Sequence, residues 1–437
     1  MVANEFFSLI NRLNAVHNYG LEDLADKMSS IFSVLILSVC VSIVTIKSYV
    51  IKPISCYLSI GPSGGNFQDY IENYCWIHGT IPLYPNQKLS DNHVGWDELE
   101  RTQKINYYQW VPFILGLQCI MFYIPKLIWQ IFCFNQAGTN LDTIIKLSMK
   151  MAEIPISERR VENENIAKII ENMLVLHRDF RDSKIANIRR SVYSKCSLFM
   201  SSKRLGTMIV FSYFVTKLLY LTNGIGQLFM IQSVLGFYNY LPTFGSHLFW
   251  YIVSGTELET QHYFPRVVFC YLKRIRHVGV QNNYVAQCVL PVNMLNEKIY
   301  TFLWCWILLV SFATFISIPL WINRLYRADV REHYIGNFLQ MLNSYDEHKK
   351  PLIHKFINDF LRHDGLFLLR MISNNAGDLI AAYLVNNLWD IYLKKYQNRN
   401  LRKDIFSVSN HLKEDEANNS TSNSQNLNQC SPIMNYL

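Results

Sequence analysis

The stretch NYYQWVPFILGLQCIMFYIPKLIW, Asn106 to Trp129, is apolar for most of its length. It opens on Tyr107, Tyr108 and Trp110, closes on Trp129, and holds Pro112 and Pro125. In a soluble core helix each proline removes a backbone donor and clashes with the preceding turn. In a bilayer the pattern has a rationale. Amphipathic rings settle at membrane–water interfaces, so Tyr107, Tyr108 and Trp110 read as anchors at one face and Trp129, with Lys126, at the other. Both prolines are tolerable where neighbouring helices re-satisfy the freed carbonyls, and they predict a bent span.

The rest of the chain agrees. Of 437 residues, 50% are hydrophobic and 17% charged, against about a quarter charged in soluble domains. The charges are also uneven. None falls between Lys27 and Lys47, only Lys126 within Ile105–Phe134, only Lys217 within Leu205–Thr256, and none within Ile299–Asn323. Each window supplies the roughly 20 apolar residues that cross a bilayer. Glu5, Glu22, Asp23 and Asp26 precede the first, with no short basic leader, so it reads as an uncleaved span. The net charge of +8 comes without a dense basic patch interleaved with aromatics, so no nucleic-acid partner is expected.

The third window is long enough for two spans, and charge decides between one and two. Asp142–Arg204 holds thirteen Lys and Arg and the region after Asn323 holds fourteen, whereas Lys47–Lys104 and Glu257–Lys298 hold five each. A single third span places both basic segments on the cytoplasmic side and both sparse loops outside, as the positive-inside preference requires. The ten cysteines fit this topology. Cys40, Cys119 and Cys305 lie in spans and read as small buried residues. Cys133, Cys196 and Cys430 fall to the reducing side. Cys56 and Cys75 in the first outside loop, with Cys270 and Cys288 in the second, suggest two disulfides, for which sequence leaves three connectivities. Their spacing does not suit zinc, and no metal or cofactor is expected.

Of the two lysines inside spans, Lys126 sits near the cytoplasmic end and is expected to snorkel. Lys217 lies deeper, and either snorkels or faces a water-filled interior. Residues 1–20 place Phe6, Ile10, Leu13 and Val16 on one helical face, which by periodicity alone reads as an interfacial helix. Helical periodicity returns in Asp142–Arg204 and in Ile335–Leu342, Leu352–Leu361 and Leu366–Leu393, punctuated by Gly365 and Gly377. The polar tail from about Asp404 is expected to be disordered. His78, His93, His262 and His277 lie singly in the outside loops, where a pH-sensing role is open. No Gly-rich phosphate loop, G-x-S-x-G, H-E-x-x-H or intramembrane acid–His set occurs, so the chain does not read as an enzyme.

The sequence resembles the innexins, the gap-junction proteins of invertebrates, which are related to the pannexins. The resemblance rests on Tyr107-Tyr108-Gln109-Trp110-Val111-Pro112, Phe122-Tyr123-Ile124-Pro125-Lys126, Tyr74-Cys75-Trp76, Phe264-Pro265-Arg266-Val267, Gln287–Trp306 and Asp364–Leu384. The last is similar to nematode members, and the likeness runs from about Asp23 to Tyr392. It implies four spans with both termini cytoplasmic, pairing of Cys56 with Cys288 and of Cys75 with Cys270, and an N-terminal segment folded into a pore. Val2, Asn4, Phe6, Phe7 and Ile10 then become pore-lining candidates. It also implies rings of subunits, about eight by analogy, homomeric or mixed with other innexins, embedded in the plasma membrane and docking with a ring on the adjacent cell. Two departures fall in the loops. Gly79–Leu83 replaces an aromatic-containing run, and Tyr271-Leu272 stands where an Asp-Phe pair is usual, which bears on partner choice.

The expected fold class is an all-α membrane protein: a four-transmembrane-helix bundle with two disulfide-linked extracellular loops and a helical cytoplasmic domain. The expected boundaries are 1–20 for the N-terminal helix, 28–46, 105–134, 205–236 and 299–323 for the spans, 47–104 and 237–298 for the extracellular loops, 135–204 for the cytoplasmic loop, 324–403 for the cytoplasmic domain and 404–437 for the tail. The expected function is a large-pore intercellular channel for ions and small molecules. The alternatives are a non-docking channel in a single membrane and an adhesive junctional role without conduction.

Overall fold

The structure, a computed structural model, describes residues 22–58, 64–82, 93–136, 141–175, 206–234, 264–277, 279–344 and 347–395. The pore-lining candidates Val2, Asn4, Phe6, Phe7 and Ile10, the tail, Cys196, Cys430 and His262 lie outside them. The chain divides into two units, one built from 21–137 with 209–323 and the other from 138–208 with 324–437 and 1–20.

In the first unit, four helices among the described residues are long and apolar enough to span a membrane: Leu24–Val50, Val111–Cys133, Met208–Ser233 and Pro291–Tyr326. Span 1 begins at Asp23, whose side chain caps the first turn while Asp26 bonds back to the Asp23 N–H, a reciprocal box that satisfies orphan donors. A π-turn at Met28–Phe32 precedes the regular helix Ser33–Thr45, and a second π-turn, Ile46–Val50, ends the span. Span 4 starts at Pro291, eight residues before the expected 299, and its 36 residues measure about 54 Å at 1.5 Å per residue. That exceeds the roughly 30 Å hydrocarbon core.

The spans pack through Leu37, Cys40 and Val44, Val111, Leu115 and Phe122, Ile231, and Tyr300, Leu303 and Ile307. Their outer faces remain apolar and exposed, as at Leu35, Ile43, Phe113, Ile120, Phe312 and Phe315. That is the composition lipid or a neighbouring apolar helix accepts.

The two loops merge into one four-stranded antiparallel sheet. Its strands are β1 (Ser55–Tyr57), β2 (Ile81–Pro82), β3 (Val267–His277) and β4 (Val280–Val289), in the order β1-β4-β3-β2. The second loop supplies the central hairpin and the first loop both edges. Period-2 alternation sends Val268, Cys270, Leu272, Ala286 and Cys288 to the buried face, while Val267 and Val289 stay exposed. A bulge between Leu272 and Ile275 bends the hairpin. Arg274 there takes φ +57°, and its N–H donates to Asn283 Oδ1 at 2.9 Å. Two helices of the first loop, α1 (Gly65–His78) and α2 (His93–Gln103), accompany the sheet. Joining the loops in one sheet puts both on the same side of the membrane, so an even number of crossings separates them.

The second unit is helical: Leu141–Glu153, Ile156–Val175, Ala328–Met341, Lys350–Lys355, a π-turn at Phe356–Leu361, Arg362–Ala376, and 378–395. Its core holds Ile144, Met151, Ile166, Phe356, Phe367 and Trp389. Gly377, at φ +93°, ends its helix with an N–H bond to Ser373 O, a conformation that favours glycine. Gly365 was expected as a second break but lies inside Arg362–Ala376. A Cβ there would come within 3.1 Å of Leu174 Cδ1, so this glycine serves close packing.

Candidate functional site

The sheet is held by two disulfides. Cys56 and Cys288 are direct partners across β1 and β4 and are bonded, and Cys75 of α1 is bonded to Cys270 of β3. This is the pairing the resemblance implied. All four are buried with Ile54, Ile71, Tyr108, Leu272 and Val292. The sulfurs of Cys56, Cys75 and Cys288 lie within 4.8 Å of one another, but each is committed to a disulfide and offers no thiolate to a metal.

The opening stretch seats this assembly on span 2. Tyr107–Gln109 is a 3-10 turn ahead of the helix Val111–Gln136. Tyr108 is fully buried and packs on Trp76 of α1, ring centroids 4.8 Å apart. Tyr107 is half-buried, edge-on to Phe264. The Gln109 amide donates to the carbonyls of Trp76 and, at 3.2 Å, Ile77. Pro112 is the second residue of the helix, where its missing donor would be unpaired anyway, and Pro125 alone is interior. Of the four aromatic anchors, Trp110 is 60% exposed. Tyr108 and Trp129 are turned into protein, Trp129 against Tyr213 of span 3. Both rings therefore pack between elements of the chain. Sequence position cannot tell a lipid-facing ring from one a neighbouring element covers.

A second connection between the loops is ionic. Glu100 of α2 meets His78 Nε2 at 2.6 Å, Lys104 at 3.4 Å and Lys273 of β3 at 2.6 Å, and Lys273 also reaches Asp97 at 2.6 Å. Burial pushes the Glu100 carboxyl up, but the bonds from Lys273 and His78 and their charges outweigh it, so it sits below its ordinary value. The two departures from the innexin pattern meet beside this knot. Ile81 and Tyr271 are buried together with Trp96. They support the loop from inside, and neither presents its side chain at the surface.

The intramembrane lysines depart from expectation. Lys217 neither snorkels nor faces open water. It is fully buried, 2.9 Å from Asp26 Oδ1 and 3.7 Å from Asp23 Oδ2. Lys126 is also paired, 3.5 Å from Glu22 and 12% exposed. These acids appeared in the sequence only as charges ahead of a span, and their partners lie up to 298 residues away. The signal was the need of a buried cation for a counter-ion. Among the span cysteines, Cys40 is buried and Cys119 half-buried, but Cys305 is exposed on span 4. Cys133, expected beyond the membrane, is buried near the end of span 2.

Fold and site thus define a four-span membrane protein whose two loops are covalently joined, and comparison with known proteins gives that class its family. The family model named Innexin matches residues 22–392. Innexin-19 of Caenorhabditis briggsae is 32% identical over 416 residues, 90% of each chain. Innexin-19 of Caenorhabditis elegans is 32% identical over 90% of this chain and 87% of its own. Innexin unc-9 of Caenorhabditis elegans is 30% identical over 85% of this chain and 92% of its own. The chain belongs to the innexin family, whose members are gap-junction channel proteins.

Proposed function

We propose that this chain is the subunit of an oligomeric large-pore channel of the plasma membrane. In this reading a ring of about eight copies, alone or mixed with other innexins, docks with a ring on the adjacent cell and passes ions and small molecules. The observation that carries it is the disulfide-braced sheet, which welds both loops into one rigid body fit to meet a partner. Val2, Asn4, Phe6, Phe7 and Ile10 line the pore mouth in this reading, and Trp110 anchors span 2 at the outer interface. Selectivity then comes from pore width and polar rings.

Paired-cell recording of this chain expressed alone tests the proposal. Junctional current above that of control pairs is expected. Dye uptake by single cells without junctional current would replace docking with a single-membrane channel, and cell adhesion without conductance would replace it with an adhesive role.

A further inference from the structure

The buried charges of the spans converge on one turn. Lys217 Nζ donates to Asp26 Oδ1 and to Ser317 Oγ, each at 2.9 Å. Tyr213 OH donates to Asp26 Oδ2 at 2.8 Å. Ser317 Oγ and Trp321 Nε1 both donate to Asp23 Oδ2 at 2.9 Å. Next to these, Glu22 pairs with Lys126 of span 2. Spans 2, 3 and 4 therefore all grip the start of span 1: span 2 at Glu22, span 4 at the N-cap Asp23 and span 3 at Asp26 of the first turn Leu24–Lys27, and the bonds that do so are side chain to side chain.

Immediately beyond lies the π-turn Met28–Phe32. Its hydrogen bonds skip one residue more than in an α-helix, a rare geometry frequent at functional sites. Serines run through it. Ser30 Oγ donates to Asp26 O and Ser33 Oγ to Met28 O, each at 2.9 Å. Hydroxyls placed this way supply alternative partners for carbonyls and bend helices.

A buried ion pair adds little net stability over apolar residues of the same volume. Three acids and two lysines at the membrane end of a bundle are therefore poorly explained by packing alone. Intramembrane charges of this kind mark moving or conducting parts. We infer that the cluster is a lock and the π-turn its hinge: Lys217 holds the first turn of span 1 against spans 3 and 4, and release of that turn about Met28–Phe32 accompanies gating. Lys217 is a positioning residue in this scheme, and the gating role rests on the channel reading above.

The test uses the full chain with two readouts, hydrogen exchange of Leu24–Phe32 in the purified assembly and the open fraction against voltage at matched surface amounts. Lys217→Met is expected to raise exchange in Leu24–Phe32 about ten-fold with the β-sheet unaffected, and to shift the open fraction at least about three-fold. Lys217→Arg is expected to restore both. Tyr213→Phe removes one bond and no charge, and is expected to give a smaller change in the same direction even if Lys217→Met does not reach the surface. Unchanged exchange in Leu24–Phe32 in Tyr213→Phe and Lys217→Met would overturn the lock. Raised exchange with an unaltered open fraction would reduce the cluster to a structural brace and overturn its gating role. Absence of current from the unmodified chain would count against the channel reading, and the exchange arm would still decide the lock.

Discussion

Glu100 and Lys273 meet at 2.6 Å across the join between the two loops, in a knot that also draws in His78 and Lys104. Among the described residues, Glu100 is the only acid facing all three bases. Glu100→Gln should loosen the knot more than Lys273→Ala, because it leaves three basic groups facing one another, whereas Lys273 is partly solvated and its pair is worth about 1 kcal/mol or less. Because the folded carboxyl stays charged to lower pH than the unfolded one, with its ordinary value of 4.5, its contribution is complete above 4.5 and disappears as pH falls through the lowered value. Protection from exchange at His93–Gln103, taken relative to the intrinsic rate at each pH, should therefore stay flat down to about 4.5 and fall below it.

Replacing any one of Cys56, Cys75, Cys270 or Cys288 by Ser should cost the sheet about 2–5 kcal/mol and abolish junctional coupling. Surface labelling beside paired-cell recording separates loss of docking from loss of delivery. Normal coupling in any of the four variants would count against a docking role for the sheet.

In the second unit His363 is buried and bonds through Nδ1 to Leu325 O at 3.1 Å. Burial, then the charge of Arg331, push its pKa down to about 4 from 6.5. The unfolded ring takes a proton first, so the stabilisation is complete above 6.5 and is lost as pH falls toward 4, on the order of 3 kcal/mol over the window. Exchange protection in Arg362–Ala376 should fall across that range. His363→Phe should flatten the dependence.

Spans 3 and 4 pack closely at Gly224. A Cβ there would fall 2.3 Å from Ser311 Oγ but 3.4 Å from Ser311 Cβ. Turning the Ser311 hydroxyl aside admits one methyl, so Gly224→Ala should cost less than about 1 kcal/mol, whereas Gly224→Val overpacks the crossing by about 1–3 kcal/mol. Thermal unfolding in detergent should rank native, Ala, Val in falling order.

The spans were legible because a bilayer demands long charge-free windows, and Lys126 and Lys217 stood out within them. The sheet was not read. Yet Val268, Cys270 and Leu272 alternate inward along β3, a period-2 signal present in the sequence. The disulfide pairing came from family likeness alone, since spacing leaves the connectivities open. The partners of Lys217 were beyond reach, because charges ahead of span 1 meet a residue of span 3 only after the bundle forms. Tyr108 and Trp129 show the same limit, since an aromatic ring at a span end is drawn equally to lipid headgroups and to a neighbouring ring.

The strand order β1-β4-β3-β2 has a consequence for biosynthesis. The first loop supplies both edges of the sheet and the second supplies its middle, so the edges are made long before there is anything to flank. Cys75 and Cys270 are 195 residues apart. At roughly 5–20 residues per second, Cys56 and Cys75 wait on the order of 10–40 s in an oxidising compartment with only each other as partners. Native pairing therefore depends on keeping those two thiols apart, or on reopening a premature bond, until the ribosome has delivered the central hairpin.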